Sequence, residues 1–220
     1  MKIGIFGTGT VGETIGAKLL GLGHEVKLGS RSANDEKGAA WLERSKLANH
    51  GERASHGTFA DVAEFGVLLF NCTQGTASVD ALRSASEEHL SGKLLIDVAN
   101  PLEFVPGQGA RLAFSNDDSL GERLQTAFPA LKVVKALNTV NCAVMVDAGR
   151  VPGDHTTFLC GNDAEAKARV HEILRDWFGW RDVIDLGDIK AARATESWML
   201  IWLKLWGVLK TLDFNLKVVR

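Results

Sequence analysis

The chain contains no tyrosine. The Tyr-x-x-x-Lys pair of the short-chain dehydrogenases is therefore excluded. Cysteine is scarce: Cys72, Cys142 and Cys160 are far apart and odd in number, without disulfide or metal-ligand spacing. They read as small core residues in a reducing cytoplasm. The six histidines are scattered and form no H-x-x-x-H pair, so no metal site is expected. The formal net charge of -2 offers no surface for nucleic acid. No uninterrupted apolar run reaches the roughly eighteen residues of a membrane span. There is no internal repeat and no low-complexity tract. Met1-Lys2-Ile3 enters a strand directly, which leaves no room for a signal peptide. Cytoplasmic residence is the expectation.

What is present starts at once. Lys2 to Phe6 is a short apolar run, β-branched at Ile3 and Ile5, that reads as a buried strand. Gly7-Thr8-Gly9-Thr10-Val11-Gly12 follows. Val11, Ile15, Leu19 and Leu22 then recur at helical spacing up to Gly23, and His24 to Gly29 reads as a second strand. A G-x-G-x-x-G between strand and helix inside a βαβ unit is a dinucleotide-binding signature. Gly7 permits the tight turn, Gly9 lets the backbone approach a pyrophosphate, and Gly12 lets the helix pack close to the strand. The helix start then offers unpaired N–H groups to the anion.

The second strand ends in Gly29-Ser30-Arg31. An NAD-binding unit places an acid there, on the ribose hydroxyls. Arg31 suits a 2′-phosphate through its planar fork of donors, and Ser30 adds a hydroxyl. The cofactor expected is NADP(H). Asp35 and Glu36 read as charges at a helix start, and Lys37 as a surface lysine or a second phosphate partner.

The rest of the chain alternates. Helices are expected at 34–49, 77–88, 119–128, 140–147 and 163–178, with a helical turn at 59–64. Strands are expected at 54–59, 67–72, 93–98, 133–137, 156–160 and 183–186. Residues 103–118, with glycines, a proline and polar residues, read as a loop. This is a doubly wound, mostly parallel Rossmann sheet with a small carboxyl-terminal α/β extension and a long apolar terminal helix. Residues 1–150 form the NADP-binding unit, and 151–220 an extension for substrate and dimer contacts.

Residues 191–212 read as that helix. Trp198, Trp202 and Trp206 recur at four-residue spacing, and apolar residues lie nearly all round, so burial on most faces is expected. Glu196, Lys204 and Lys210 interrupt a membrane-like length. Burial against a second copy, making a homodimer, or between subunit and substrate, with Trp198, Trp202 or Trp206 partly roofing the acceptor pocket, fits such a helix, and packing on its own domain is the alternative.

Ligands of a doubly wound sheet bind outside the carboxyl ends of its strands. Those ends carry Thr73 and Gln74 for ribose and phosphate, Ala99, Asn100 and Pro101 for the nicotinamide end, and Asn138 and Thr139 for a second substrate. No catalytic side chain stands out. Residues 151–220 are too few for the helical catalytic domain of hydroxyacid dehydrogenases. Hydride transfer between two carriers needs no protein acid or base, only close and dry positioning.

Lys2-Ile3-Gly4-Ile5-Phe6-Gly7-Thr8-Gly9, Gly29-Ser30-Arg31, Val134-Lys135-Ala136-Leu137-Asn138-Thr139 and the closing Phe214-Asn215-Leu216-Lys217-Val218-Val219 resemble the NADPH-dependent deazaflavin (factor 420) reductases. The likeness runs over nearly the whole chain. It implies a dinucleotide domain, a small carboxyl-terminal part that helps hold the second substrate, and a dimer. By position it carries over Gly7, Gly9, Gly12, Ser30 and Arg31. The same domain type occurs in membrane ferric reductases, fused there to a membrane part. The function expected is hydride transfer between NADPH and a flat conjugated acceptor, a deazaflavin or a flavin. The alternative is an NADP(H)-binding sensor without turnover.

Overall fold

The computed structural model describes all 220 residues. The order of elements is β1 (Lys2–Phe6), α1 (Thr10–Gly21), β2 (Glu25–Ser30), α2 (Glu36–Leu47), β3 (Ala54–Thr58), α3 (Phe59–Phe65), β4 (Leu68–Asn71), α4 (Ser78–Arg83), α5 (Glu87–Leu90), β5 (Leu94–Asp97), β6 (Leu102–Val105), β7 (Gly109–Leu112), α6 (Leu120–Ala127), β8 (Lys132–Ala136), α7 (Cys142–Met145), β9 (Thr156–Gly161), α8 (Ala164–Phe178), β10 (Asp182–Asp185) and α9 (Ala192–Leu209). Eight strands form one sheet in the order β10-β9-β8-β5-β4-β1-β2-β3. From β3 through β8 every neighbouring pair is parallel. β9 then pairs with β8 antiparallel, and β10 with β9 parallel. The strands after residue 150 thus extend the sheet that holds the glycine loop. The order reverses at β1, the switch point where ligands of such sheets bind.

Burial follows the two-residue period of the strands. Leu68, Phe70, Val134 and Ala136 point into one core, and Leu69 and Val133 into the other. Both faces are covered, so the central strands are apolar nearly throughout. The exceptions lie in a row. Asn71 pairs in register with Asp97, and Asp97 with Lys135, across β4, β5 and β8.

Four segments depart from the sequence expectation. Residues 102–112 form an antiparallel hairpin, β6–β7, rather than a loop. Its strands are four residues each and broken by Pro106-Gly107, so no periodic signal builds up. The helix expected at 77–88 is two short ones, divided at Ser84-Ala85-Ser86. The helix expected at 140–147 is a single α-turn followed by a 3₁₀ turn. In α2 the apolar face is essentially Trp41 and Leu42, while Leu47 is exposed.

The terminal helix is buried on one side only. Trp202 is 6% exposed but Trp206 is 45% exposed, and Ile201, Val208 and Leu209 face outward. A four-residue repeat drifts by about 40° per step around a 3.6-residue helix, so the tryptophan stripe turns out of the core. The chain then doubles back. Phe214 stacks on Trp202 with ring centroids 5.2 Å apart. Thr156 N–H donates to Leu216 O at 3.0 Å, and Asn215 Nδ2 donates to Thr156 O at 2.9 Å. Arg150 grips Asp213 with two bonds, at 3.2 and 2.8 Å.

Candidate functional site

The glycine loop has the geometry its spacing implies. Gly7 has φ +113°, a conformation L side chains rarely adopt, and a Cβ there would lie 2.7 Å from the Cys72 carbonyl. A Cβ on Gly12 would strike the Gly7 carbonyl oxygen. A Cβ on Gly9 would meet nothing within 4 Å. Gly9 is also the N-cap of α1, and no side chain caps it. The first amides of α1 have no intrahelical partner. An open, uncapped helix start with room against its backbone is the shape a pyrophosphate requires.

Around it lies a cleft of about 740 Å³, lined by Thr8, Gly9, Ser30, Arg31, Thr73 and Gln74 among others. This volume is in the range of small-molecule sites. Arg31 is exposed, at the end of β2, and its guanidinium has no ion-pair or hydrogen-bond partner. The Ser30 hydroxyl donates to Ser32 O at 2.7 Å and accepts from Ser32 N–H, shaping the turn that presents Arg31. Lys37 lines the same cleft. Asp35 is there too, but its carboxylate caps α2, accepting from Gly38 N–H at 2.8 Å. No acid takes the place of Arg31 at the strand end.

At the ends of β5 and β8 the expected residues meet each other. Asn100 Nδ2 donates to Asn138 O at 2.8 Å, and Asn138 Nδ2 donates to Asn100 Oδ1 at 2.9 Å. Asn138 and Thr139 are only 1% and 2% exposed. They present a closed clasp under the loop that holds Asn100 and Pro101. Leu137, next to the clasp, has φ +64°, a strained conformation for a bulky side chain. Strain of this kind gathers at ligand sites and needs surrounding structure to hold it.

Sequence reasoning missed a buried polar network beneath these loops. Lys135 Nζ lies 2.8 Å from Asp97 Oδ2 and 2.8 Å from Glu196 Oε1, and donates to Ala99 O. Burial works to push the Lys135 pKa down, but the two carboxylates outweigh it and hold it above the usual lysine range. Glu196, from α9, also accepts the N–H groups of Leu120 and Gly121 at the start of α6. The available signal was one polar residue near the end of each of three apolar strands. The two buried or half-buried thiols beside this region stay protonated: burial raises Cys72, and raises Cys160 to about 12.

The chain is similar to proteins already known. The family described as NADP oxidoreductase, coenzyme F420-dependent, matches residues 2–101. The F420-dependent NADP reductase of Methanocaldococcus jannaschii is 30% identical over 201 residues, covering 90% of this chain and 88% of that protein. Metalloreductase STEAP3 of Rattus norvegicus is 30% identical over 217 residues, and the chain spans 40% of its length. A crystal structure of a candidate F420-dependent NADP reductase from Arthrobacter sp. FB24 superposes over all of both chains, with TM-score 0.91 and 46% identity. No helix here is long and apolar enough to cross a membrane. The glycine loop, the arginine at the end of β2 and these likenesses agree: the chain belongs to the coenzyme F420-dependent NADP oxidoreductase family.

Proposed function

We propose that this protein transfers hydride between NADP(H) and a flat conjugated acceptor, a deazaflavin or a flavin, in the cytoplasm. The observation that carries the reading is the cleft at the sheet's switch point. Open backbone at Gly9 and an unpaired arginine face it, and no free acid stands at the end of β2. Thr8 to Gly12 would hold the pyrophosphate, with backbone amides as donors. Arg31 would read the 2′-phosphate. Thr73 and Gln74 would line ribose and phosphate, and Ala99, Asn100 and Pro101 the nicotinamide end. The acceptor would lie beside Asn100, near Asn138 and Thr139, where hairpin β6–β7 packs against α9.

NADP(H), when bound, supplies or receives the hydride. The chain's part is to orient two flat partners and keep water out, which is how a protein assists cofactor chemistry without an acid or base of its own. Residues 1–150 would carry the dinucleotide, and 151–220 the acceptor wall and the contact with a second copy. That contact would use the outward face of α9, where Ile201, Trp206, Val208 and Leu209 stand exposed.

Turnover is tested by NADPH oxidation against a panel of deazaflavin, flavin, quinone and ferric acceptors. Fastest turnover is expected with the deazaflavin or the flavin, and no turnover with either overturns the assignment. Cofactor choice is tested with Arg31→Ala. Its NADPH affinity should fall by roughly 1.5–3 kcal/mol, the scale of hydrogen bonds to a charged group, while NADH binding stays near wild type. Equal losses for both would show that Arg31 does not read the phosphate.

A further inference from the structure

The polar row through the sheet has no role in the reading above. Asn71, Asp97, Lys135 and Glu196 are all buried, so none reaches a ligand in the cleft. Yet they form one unbroken chain of bonds. Glu196 Oε1 and Asp97 Oδ2 accept from Lys135 Nζ. Asp97 Oδ1 accepts from Asn71 Nδ2 at 2.8 Å and from Ala99 N–H at 3.2 Å. Asn71 Oδ1 accepts from Thr73 N–H at 3.2 Å and from Thr73 Oγ1–H at 2.6 Å. Every carboxylate oxygen in the row accepts at least one hydrogen bond.

The row ends on two loops. One holds Thr73, which lines the cleft. The other holds Ala99, whose N–H is bound by Asp97 and whose carbonyl is bound by Lys135, immediately before Asn100. Thr73 lines the same cleft as Ser30 and Arg31, and Gly7 packs on Cys72 and Thr73, so the Asn71 end of the row adjoins the adenine half while its Asp97–Lys135 end holds only the Ala99 loop. Burying these charges is costly, and well-packed apolar side chains would hold the strands together at least as well. Fold stability alone therefore gives no reason for three polar residues in register.

We propose that Asp97 and Lys135 are positioning residues for the nicotinamide half of the dinucleotide: they fix the Ala99–Pro101 loop through the Ala99 N–H and carbonyl. This rests on the assignment of the cleft to NADP(H). It sets two halves of one ligand site under separate control, the adenine half by the glycine loop and Arg31, the nicotinamide half by Asp97 and Lys135.

The test compares NADPH with 2′,5′-ADP, which has only the adenine half. Asp97→Asn keeps a side chain of the same shape beside Asn71 and Ala99 and leaves Lys135 its pair with Glu196, so it is a milder variant to set beside Lys135→Met. For Asp97→Asn the NADPH dissociation constant should rise about tenfold, or about 1.4 kcal/mol, while that of 2′,5′-ADP stays within about twofold. The emission of bound NADPH should also shift toward that of the free nucleotide, because the ring is no longer held. Lys135→Met, where it folds, should show the same split. Equal losses for both probes, or no loss for either, would overturn the proposal. Failure of the wild-type protein to bind either probe would overturn the cofactor assignment itself, and the proposal with it.

Discussion

A valine at position 9 should give a folded protein that no longer holds the dinucleotide. Gly9 has φ -83° and ψ 177°, an extended conformation open to any residue. A Cβ there meets no protein atom within 4 Å, so the added side chain fills only the space in front of α1. The stability cost is that of a poor N-cap, about 1 kcal/mol. The affinity cost is far larger, because the branched side chain occupies the place where amides must face the phosphates. A loss of at least about a hundredfold, near 2.7 kcal/mol, is expected in NADPH titrations, with circular dichroism close to wild type. Gly12→Val is the contrast: its Cβ would strike the Gly7 carbonyl inside the protein, so it should destabilise the fold as well. Tight NADPH binding by Gly9→Val would remove the pyrophosphate from this loop.

The second large effect is expected at Trp202. Its ring is buried, stacked on Phe214 and 6.1 Å from the Trp206 ring centroid. Sequence placed all three tryptophans of α9 in one candidate interface, but Trp202 is core of its own chain. Loss of a buried tryptophan costs about 3–5 kcal/mol, and an unpaired carboxylate in its place adds to that. Trp202→Glu should therefore lower the unfolding free energy by at least about 3 kcal/mol and release the carboxyl-terminal tail. Trp206→Glu should leave stability within about 0.5 kcal/mol, since the residue stands at the surface. If a second copy covers this face, Trp206→Glu converts a dimer into a monomer. Thermal unfolding and light scattering on both variants separate the two roles. A wild-type melting curve for Trp202→Glu would show that the tail packing contributes little. An unchanged mass for Trp206→Glu would remove α9 from the dimer contact.

How far the residues alone led depends on how local each feature is. β1, the glycine loop, α1 and β2 were legible because the spacing of Gly7, Gly9 and Gly12, the apolar strand and the helical period all lie within one short stretch. The alternation of the later strands and helices was legible for the same reason. Hairpin β6–β7 was not, since its pairing of Leu102 with Leu112 joins short segments with little alternation of their own. The one-sided burial of α9 was not, because composition gives hydrophobicity and not which face finds a partner. The row of Asn71, Asp97 and Lys135 was the least legible. Each residue looks like an isolated polar position, and only the register of three strands far apart in sequence brings them together. In the candidate site, Arg31 and the glycines were readable from position. The clasp of Asn100 and Asn138 was not, because both residues read equally well as free loop amides.

Helix α9 is tied down at two places along its length. Near its start Arg193 forms two bonds to Glu122 while Glu196 grips α6 and Lys135. Further along, Trp202 is pinned by Phe214 and the tail is stitched to the start of β9. Fastened in this way, α9 is tied to α6 at one end and, through the tail, to β9 of the main sheet at the other. Hinged two-lobed dehydrogenases gate their traffic by opening and closing. If the cleft holds NADP(H) as proposed, its arrival in a rapid-mixing trace should be a single concentration-dependent phase with no slower closure behind it.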